Sequence, residues 1–418
     1  MNFALLSLVV LIGAIALGFF RKVNMGLVAF GFALILATIA GIKAKAVLAG
    51  FPTNLFVTLL GVMFLFSMAQ ENKTLELLAR KIVSLAGNRT NLIPIIVFVF
   101  SAVLAGVGPG TVPVMSLMAV FTCSLAAEMR VSPILLSATS VLGAAAGGLT
   151  PIAPTGILGL ALAEKQGITG IEFPYAMNMV IAMTVYFIII YIVLKGYKMK
   201  SAIDMSNSVK ESFNNNQKIT LLGMLVLIVA VIFFGYDVGL TSFTIAMFLL
   251  LLKVADEKKA VASIPWGTLL MIGGINMLMS LVIQLDGINL LAAGLSKLMS
   301  PATATGVMGL TAGIMSWFSS TSGVVMPTLI PTVTDVAAQV GGGVSTLALI
   351  SAITNTASAA GMSPISTGGS MGLAAYSQIA NPTEEERSKL FVELFAVSIG
   401  GVFVIALLSM TGIYTLFI

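Results

Sequence analysis

The feature that most constrains this chain is a fourteen-residue stretch that occurs twice. Residues 148–161 read GLTPIAPTGILGLA, and residues 361–374, at an offset of 213 and without a gap, read GMSPISTGGSMGLA. Seven positions are identical, among them Gly148/Gly361, Pro151/Pro364, Gly156/Gly369 and Gly159/Gly372. Each copy follows a long apolar run and places Pro, Gly and hydroxyl side chains where a membrane helix should continue. In hydrocarbon such a break is tolerable only where the freed backbone is buried in protein or lines a cavity. Two breaks at corresponding positions of two halves point to a transporter binding site.

The rest of the chain is that of a polytopic membrane protein. It is 58% hydrophobic and 9% charged, with a mean hydropathy of +1.08, where a soluble domain is about 25% charged. With 418 residues and spans of about 20, there is room for roughly 10 to 12 crossings. A net charge of +5 on such a chain reports topology first, so no nucleic-acid partner follows; the partner is the lipid bilayer. The single Cys123 excludes an internal disulfide, and the absence of His removes the commonest metal ligand and proton shuttle. No protein cofactor is expected. Residues 3–20 have no basic n-region and are too long and uniformly apolar for a signal-peptide core, so they read as the first span.

In order, residues 24–41 and 53–70 form two further spans. Residues 72–87 read as an interfacial amphipathic helix, with Leu75, Leu78, Ile82 and Leu85 on one side and Lys73, Glu76, Arg80 and Lys81 on others. The apolar run 91–127 is interrupted at Gly106–Thr111 and predicts two short helices meeting at a tip inside the membrane, since the tip carries no charge. Two full spans with a tight turn would return the chain to the same side, so charge does not separate these readings. A broken helix follows over 132–163, then a span at 173–194 and a polar linker at 195–218. The second half repeats the order. Its spans lie near 219–235, 238–253 and 266–284, with a weakly amphipathic stretch at 287–299. A hairpin at 303–338 has its tip at Ser319–Gly323, a broken helix covers 343–378 and a last span 391–417. Pro52/Pro265, Gly61/Gly274 and Gly110/Gly323 extend the offset.

The expected fold class is therefore an all-α polytopic membrane protein. It has two repeats, 1–194 and 219–418, each with five crossings, a re-entrant hairpin and a broken helix. An odd number of crossings inverts the second repeat. Seventeen of the 21 basic residues, from Arg21 and Lys22 to Arg387 and Lys389, then fall on the cytoplasmic side. Lys43, Lys45, Lys165 and Lys297 are outside, a strong positive-inside bias. Both termini are expected on the outer face of the plasma (inner) membrane.

Breaks and tips bring helix ends together. Helix N-termini suit an anion, while helix C-termini and unwound carbonyls suit a cation. Thr111, Thr155, Thr321, Ser322 and Thr367 are the candidate carboxylate-binding hydroxyls, with the chain at Gly110, Pro154, Gly156, Gly323, Gly368 and Gly369 beside them. Carbonyls around Gly108, Gly148, Ser319 and Gly361, with Thr150, Ser363 and Asn355, are the candidate Na⁺ ligands. Any single hydroxyl could equally bond backbone within its own helix; the symmetric cluster is the stronger signal. No Asp, Glu, Lys or Arg falls mid-span; Glu71, Asp335 and Glu393 lie near span ends. A proton carrier normally uses an intramembrane carboxylate or His, so Na⁺ is the favoured coupling ion. No serine has a mid-membrane base for hydrolytic chemistry, so no enzyme activity is expected.

The hairpin, the broken helix and their repetition resemble the ion transporter superfamily, which includes divalent-anion/sodium symporters. The runs NLFVTLLGVMFLFSMAQENKTLELLARKIVSLAG, NLIPIIVFVFSAVLAGVGPGT and GGLTPIAPTGI, within residues 54–157, more closely resemble the malonate/dicarboxylate carrier (MatC) family. The second half matches the superfamily pattern through SSTSG and AGMSPISTGG. The resemblance implies a mobile transport part and a scaffold, a homodimer, elevator-type alternating access and a small dicarboxylate substrate. In the symporters each tip carries a Ser-Asn-Thr motif. The equivalents here, within 108–111 and 321–323, lack the Asn, so the symporters' ligand sets do not transfer wholesale. A carrier of another anion, a cation/proton exchanger or a channel remain alternatives.

Overall fold

With so few charged residues and so much apolar surface, a backbone that satisfies itself within each segment is the expected outcome, and no strand occurs among the described residues. The structure, a computed structural model, describes residues 2–21, 23–84, 86–87, 89–199, 211–380 and 382–417. Lys22, Leu85 and residues 200–210 of the linker lie outside them. The first half contains α1 (Phe3–Arg21), α2 (Met25–Ala40), α3 (Ala44–Ala49), α4 (Thr53–Glu71), α5 (Thr74–Ser84), α6 (Ile93–Gly106), α7 (Thr111–Met129), α8 (Pro133–Gly147), α9 (Pro154–Glu164) and α10 (Glu172–Val193). The second contains α11 (Asn215–Phe234), α12 (Val238–Leu251), α13 (Glu257–Ala262), α14 (Trp266–Gln284), α15 (Gly287–Ser296) and α16 (Ala304–Trp317). After a π-turn at Thr321–Val325 come α17 (Met326–Leu329), α18 (Val333–Val340), α19 (Thr346–Ala360), α20 (Thr367–Ile379) and α21 (Glu384–Ser409). The chain is a multi-pass membrane protein: α4, α10, α14, residues 321–340 and α21 are each long and apolar enough to cross a membrane.

The helices pack in two groups. In one, α2 crosses α14 and α12 crosses α4. A Cβ on Gly274 would lie 2.0 Å from the carbonyl oxygen of Gly26, and one on Gly61 2.4 Å from that of Gly239. Small residues let membrane helices approach this closely. The offset of 213 carries Gly26 to Gly239 and Gly61 to Gly274, so one crossing maps onto the other with the halves exchanged. In the second group α6 and α7 pack on α8, α16 on α19, and α10 and α21 close over them. Every residue of α8, and residues 347–360 of α19, are buried. The helix leading into each break is therefore lodged inside protein, while Pro151 and Ile365 within the breaks are exposed.

Several loops expected on one side are tied together. Asn72 Nδ2 donates to Thr220 Oγ1 at 2.7 Å, Thr90 Oγ1 to the Met199 carbonyl at 2.9 Å, and the Asp256 N–H to Glu71 at 3.1 Å. Among loops expected on the opposite face, Thr334 donates to Gln166 at 2.7 Å and Ser296 to Gln339 at 2.9 Å.

Two expectations need correction. The hairpin arms are not all short: the first arms, α6 and α16, have 14 residues each, while the second arms run 19 and 20 residues. The second tip is also shorter than the hydroxyl-rich run suggested. The chain turns at 318–320, where the Ser320 hydroxyl accepts the Gly323 N–H at 3.2 Å, and helix resumes at Thr321. Helix therefore restarts at Thr111 in one hairpin and Thr321 in the other, so the tips are offset by 210, not the 213 that Gly110/Gly323 implied. The offset returns to 213 by the start of α19, through one additional residue in the second arm and two in the loop 341–345 that follows it.

Candidate functional site

Both breaks are built on the same backbone frame. The Gly156 N–H donates to the Gly148 carbonyl at 3.0 Å and the Gly369 N–H to the Gly361 carbonyl at 3.0 Å. Ala153 donates to Thr150 at 3.0 Å, as Ser366 does to Ser363 at 2.9 Å. Each break is thus a loop closed across its mouth, and helix restarts at once: α9 with Pro154 in its first turn, α20 with Thr367. Pro suits that position because an N–H there would lack an intrahelical partner anyway.

The first hairpin is aimed at the first break by its glycines. Gly108 and Gly110 have φ of +143° and +77°, conformations an L side chain resists. A Cβ on Gly108 would meet the Phe66 ring of α4 at 2.4 Å, and one on Gly110 the Pro154 ring at 2.6 Å. The turn therefore lies directly on α4 and α9, and Thr111 Oγ1 stands 3.3 Å from Thr155 Oγ1. The Thr150 hydroxyl donates to the Gly106 carbonyl at 2.7 Å, fastening break to hairpin. The second hairpin is fastened by hydroxyls: Ser316 and Thr321 both donate to the Ala357 carbonyl of α19, at 2.8 and 3.0 Å. Ser366 Oγ donates to the Ser319 carbonyl at 3.3 Å.

These contacts bring four helix starts to one cavity of about 30 Å³, lined by Thr111, Val112, Met115, Ala145, Thr155, Ser320, Thr321, Ser322, Ser358, Gly361, Ser366, Thr367 and Gly368. No charged side chain lines it. Thr111, Val112, Thr155, Thr367 and Gly368 have N–H groups with no backbone acceptor among the described residues. A free N–H row at a helix start carries partial positive charge and suits an anion. A smaller adjoining cavity, of about 10 Å³, continues along Thr111, Pro154, Thr155 and Ser322 to Thr268 and Ile272 of α14.

Seven of the sequence-derived residues meet at the main cavity: Thr111, Thr155, Thr321, Ser322, Gly361, Thr367 and Gly368. Gly110 and Pro154 touch each other at its edge, and a Cβ on Gly148 would strike Thr111 at 2.3 Å. Gly156 and Gly369 have N–H groups already committed across the breaks, so they shape the loops and do not offer those donors to an anion. Gly323 is turned toward Met271 of α14. Gly108 lies under Phe66, Thr150 is held by Gly106, and the Ser319 hydroxyl bonds the Met315 carbonyl at 2.7 Å. Ser363, fully buried, accepts from Ile365 at 3.3 Å. Asn355 faces away from the cavity, donating to the Asn178 carbonyl of α10 at 3.1 Å.

Sequence reasoning missed Ala145 and Ser358, one helical turn before each break and related by the same offset. Their position in the repeat was the available signal.

Residues 1–148 match the family model described as the N-terminus of the dicarboxylate carrier protein MatC. That match covers the first hairpin and α8 and ends where the first break begins. The fold is similar to that of the YdaH transporter of Alcanivorax borkumensis, whose crystal structure is described as revealing an unusual topology. The TM-score is 0.54 at 14% identity, with 87% of this chain and 86% of that one covered. Identity this low carries the fold alone. No curated protein matches in sequence.

Proposed function

We propose that this protein is a secondary active carrier of small dicarboxylate anions of the malonate or C4 type, coupled to Na⁺ and working inward. The observation that carries the reading is the meeting of four helix starts, with their hydroxyls and free N–H groups, at one uncharged cavity. Two starts come from each half, which suits a ligand with two carboxylates. The match of residues 1–148 to a dicarboxylate carrier family supports the same substrate class.

Magnitudes argue for a co-bound cation. Helix starts contribute roughly 1 to 2 kcal/mol each toward an anion in partly buried geometry. Four of them fall short of the several kcal/mol per ion that desolvating two carboxylates costs. Na⁺ held by carbonyls and hydroxyls at the breaks offsets the difference. The Gly148 and Gly361 carbonyls each keep a second lone pair after accepting one bond, and Ser363 and Thr150 stand beside them.

The cavity has room for about one water molecule, so a dicarboxylate enters only if the surrounding elements part. The second packing group is the natural moving body and the first the scaffold. This supports the elevator reading, with 1–194 and 219–418 as inverted repeats around the linker at 195–218. The homodimer follows from the family resemblance. The shared face of the loops at residues 72, 90, 199, 220 and 256 supports a cytoplasmic side rich in Lys and Arg and termini on the other side of the membrane.

The test is uptake of labelled malonate and succinate into proteoliposomes under an inward Na⁺ gradient or an inward proton gradient. Na⁺-driven accumulation is expected. Uptake driven by protons alone overturns the Na⁺ assignment, and equilibration without accumulation makes the protein a channel. No uptake of either acid under any gradient overturns the substrate class.

A further inference from the structure

A second, wider cavity lies away from the helix starts. Its volume is about 770 Å³, and it opens between the two packing groups. Three elements line both it and the small cavities at the helix starts. Pro154 and Thr155 of α9 line the small ones, and Ala161 to Gln166 this one; on α14 the positions are Thr268 and Ile272, then Asn276 to Ile283. Ser322 and then Pro327 and Pro331 continue the second hairpin's arm in the same way. The ten residues from Thr155 to Lys165 span about 15 Å of helix. The vestibule and the four helix starts thus lie along the same three elements.

Its charge is sparse. Among the lining residues Lys165 is the one cation and Glu164 the one anion. Both are exposed, and no ion pair of Lys165 is found among the described residues. Asn54, Gln166, Asn276 and Ser280 supply neutral polar groups.

We propose that this vestibule is the access path of the carrier and that Lys165 is its anion-capture residue, holding a small dianion before the helix starts take it. This deepens the function proposed above and rests on it for the identity of the substrate. Low-dielectric walls around an aqueous cleft focus the field of a charge at its mouth. For a dianion about 10 Å from one unit charge in water-like dielectric, the attraction amounts to roughly a fourfold change in capture. It fades once the Debye length drops to about 3 Å in molar salt. Glu164 opposes Lys165, so its removal acts with the opposite sign.

Two measurements test the proposal. In proteoliposomes at low ionic strength, Lys165→Gln should raise KM for the dicarboxylate roughly three- to fivefold at unchanged maximal rate. Lys165→Arg should restore it, and Glu164→Gln should lower it. High salt should erase the differences. An unchanged KM for Lys165→Gln at low salt, or a lost maximal rate, overturns the assignment. The second measurement needs no transported substrate. Asn54→Cys places a thiol at an exposed vestibule position, while the native Cys123 is buried. With Lys165 present an anionic methanethiosulfonate should modify that thiol several-fold faster, relative to a cationic one, than in the Lys165→Gln background. Equal ratios in both backgrounds overturn the capture role even if the substrate class is wrong. A shifted ratio without dicarboxylate uptake upholds the capture role and moves the fault to the substrate reading.

Discussion

The two breaks and the two hairpins meet at the same cavity, yet they are built under different constraints. The breaks repeat the same hydrogen bonds at the same offset, from Gly156→Gly148 and Gly369→Gly361 outward. The hairpins share only their outcome, a helix restarting on a threonine. The first reaches it through two positive-φ glycines packed on Phe66 and Pro154. The second uses no positive φ at its tip and relies on a serine cap, a π-turn and two hydroxyls on the Ala357 carbonyl. The common chemistry lies in the breaks. The hairpins carry the asymmetry.

The largest effect should come from testing that contrast in the turns. Gly108→Val forces a side chain into the φ of +143° and against the buried Phe66 ring. Strain of about 1–3 kcal/mol and overpacking of about 1–3 kcal/mol add at one site. We expect loss of the folded protein, read as a collapsed yield and melting temperature in detergent. Gly323→Ala in the other hairpin should be nearly silent. Its φ is not positive, and its Cβ would meet no backbone, only the flexible Met271 side chain, at Sδ 2.3 Å and Cγ 2.9 Å, and the Ser320 hydroxyl at 3.2 Å. Equal damage from both would erase the distinction drawn between the turns.

Next in size are the breaks themselves. Thr155→Val and Thr367→Val keep shape and remove a hydroxyl from the cavity. A hydrogen bond to a charged group is worth about 1.5–3 kcal/mol, so dicarboxylate uptake should fall by roughly 10- to 100-fold in each. Neither hydroxyl holds a strong protein partner, so melting temperature should barely move. If one variant transports normally, the two breaks are not chemical equivalents despite their matching backbones.

How much of this was legible in the sequence follows the same divide. The span at 266–284 and both breaks stand where the apolar periodicity and the Pro/Gly interruptions put them, because a missing helical hydrogen bond is written in residue type. The second tip was misplaced because Ser319–Gly323 reads as loop by composition, whereas Ser320 caps a helix that has already restarted at Thr321. Asn355 looked like a cation ligand because it is the amide nearest the second break. On α19 it lies one turn before Ser358, which lines the cavity, and its amide is taken up by the Asn178 carbonyl of α10. The vestibule was invisible because α3, α9, α14 and the second hairpin's arm, which surround it, are distant in sequence. Only their packing creates it.

A smaller effect separates the two threonines at the hairpin starts. Thr321→Val loses its bond to the Ala357 carbonyl and its contact with Ser316. Interhelical hydrogen bonds in membranes average about 0.6 kcal/mol, so a loss of about 1 kcal/mol of stability is expected. Thr111→Val loses only the 3.3 Å contact with Thr155 and should cost less than about 0.6 kcal/mol. Thermal melts of the two variants side by side check the order. A reversed order would mean that the first hairpin, not the second, is the one held by its hydroxyl.

The smallest effect is at the cap of the second hairpin, and it asks whether one turn chemistry can replace the other. Ser320 Oγ accepts the Gly323 N–H at 3.2 Å, a long bond, so Ser320→Ala should sit at the weak end of N-cap losses, about 0.5 kcal/mol. Ser320→Gly should cost only a few tenths of a kcal/mol, since glycine is itself tolerated at an N-cap. That variant also frees the turn to adopt positive φ, as Gly110 does at the equivalent point of the first hairpin. If the caps matter only locally, both variants should transport at wild-type rates. If the serine cap is what holds the second gate closed, Ser320→Gly should raise the rate at which an impermeant thiol reagent reaches a Thr367→Cys thiol, while Ser320→Ala leaves that rate near the parent's. Accessibility, rather than stability, then tells whether the two hairpins differ in strength or in kind.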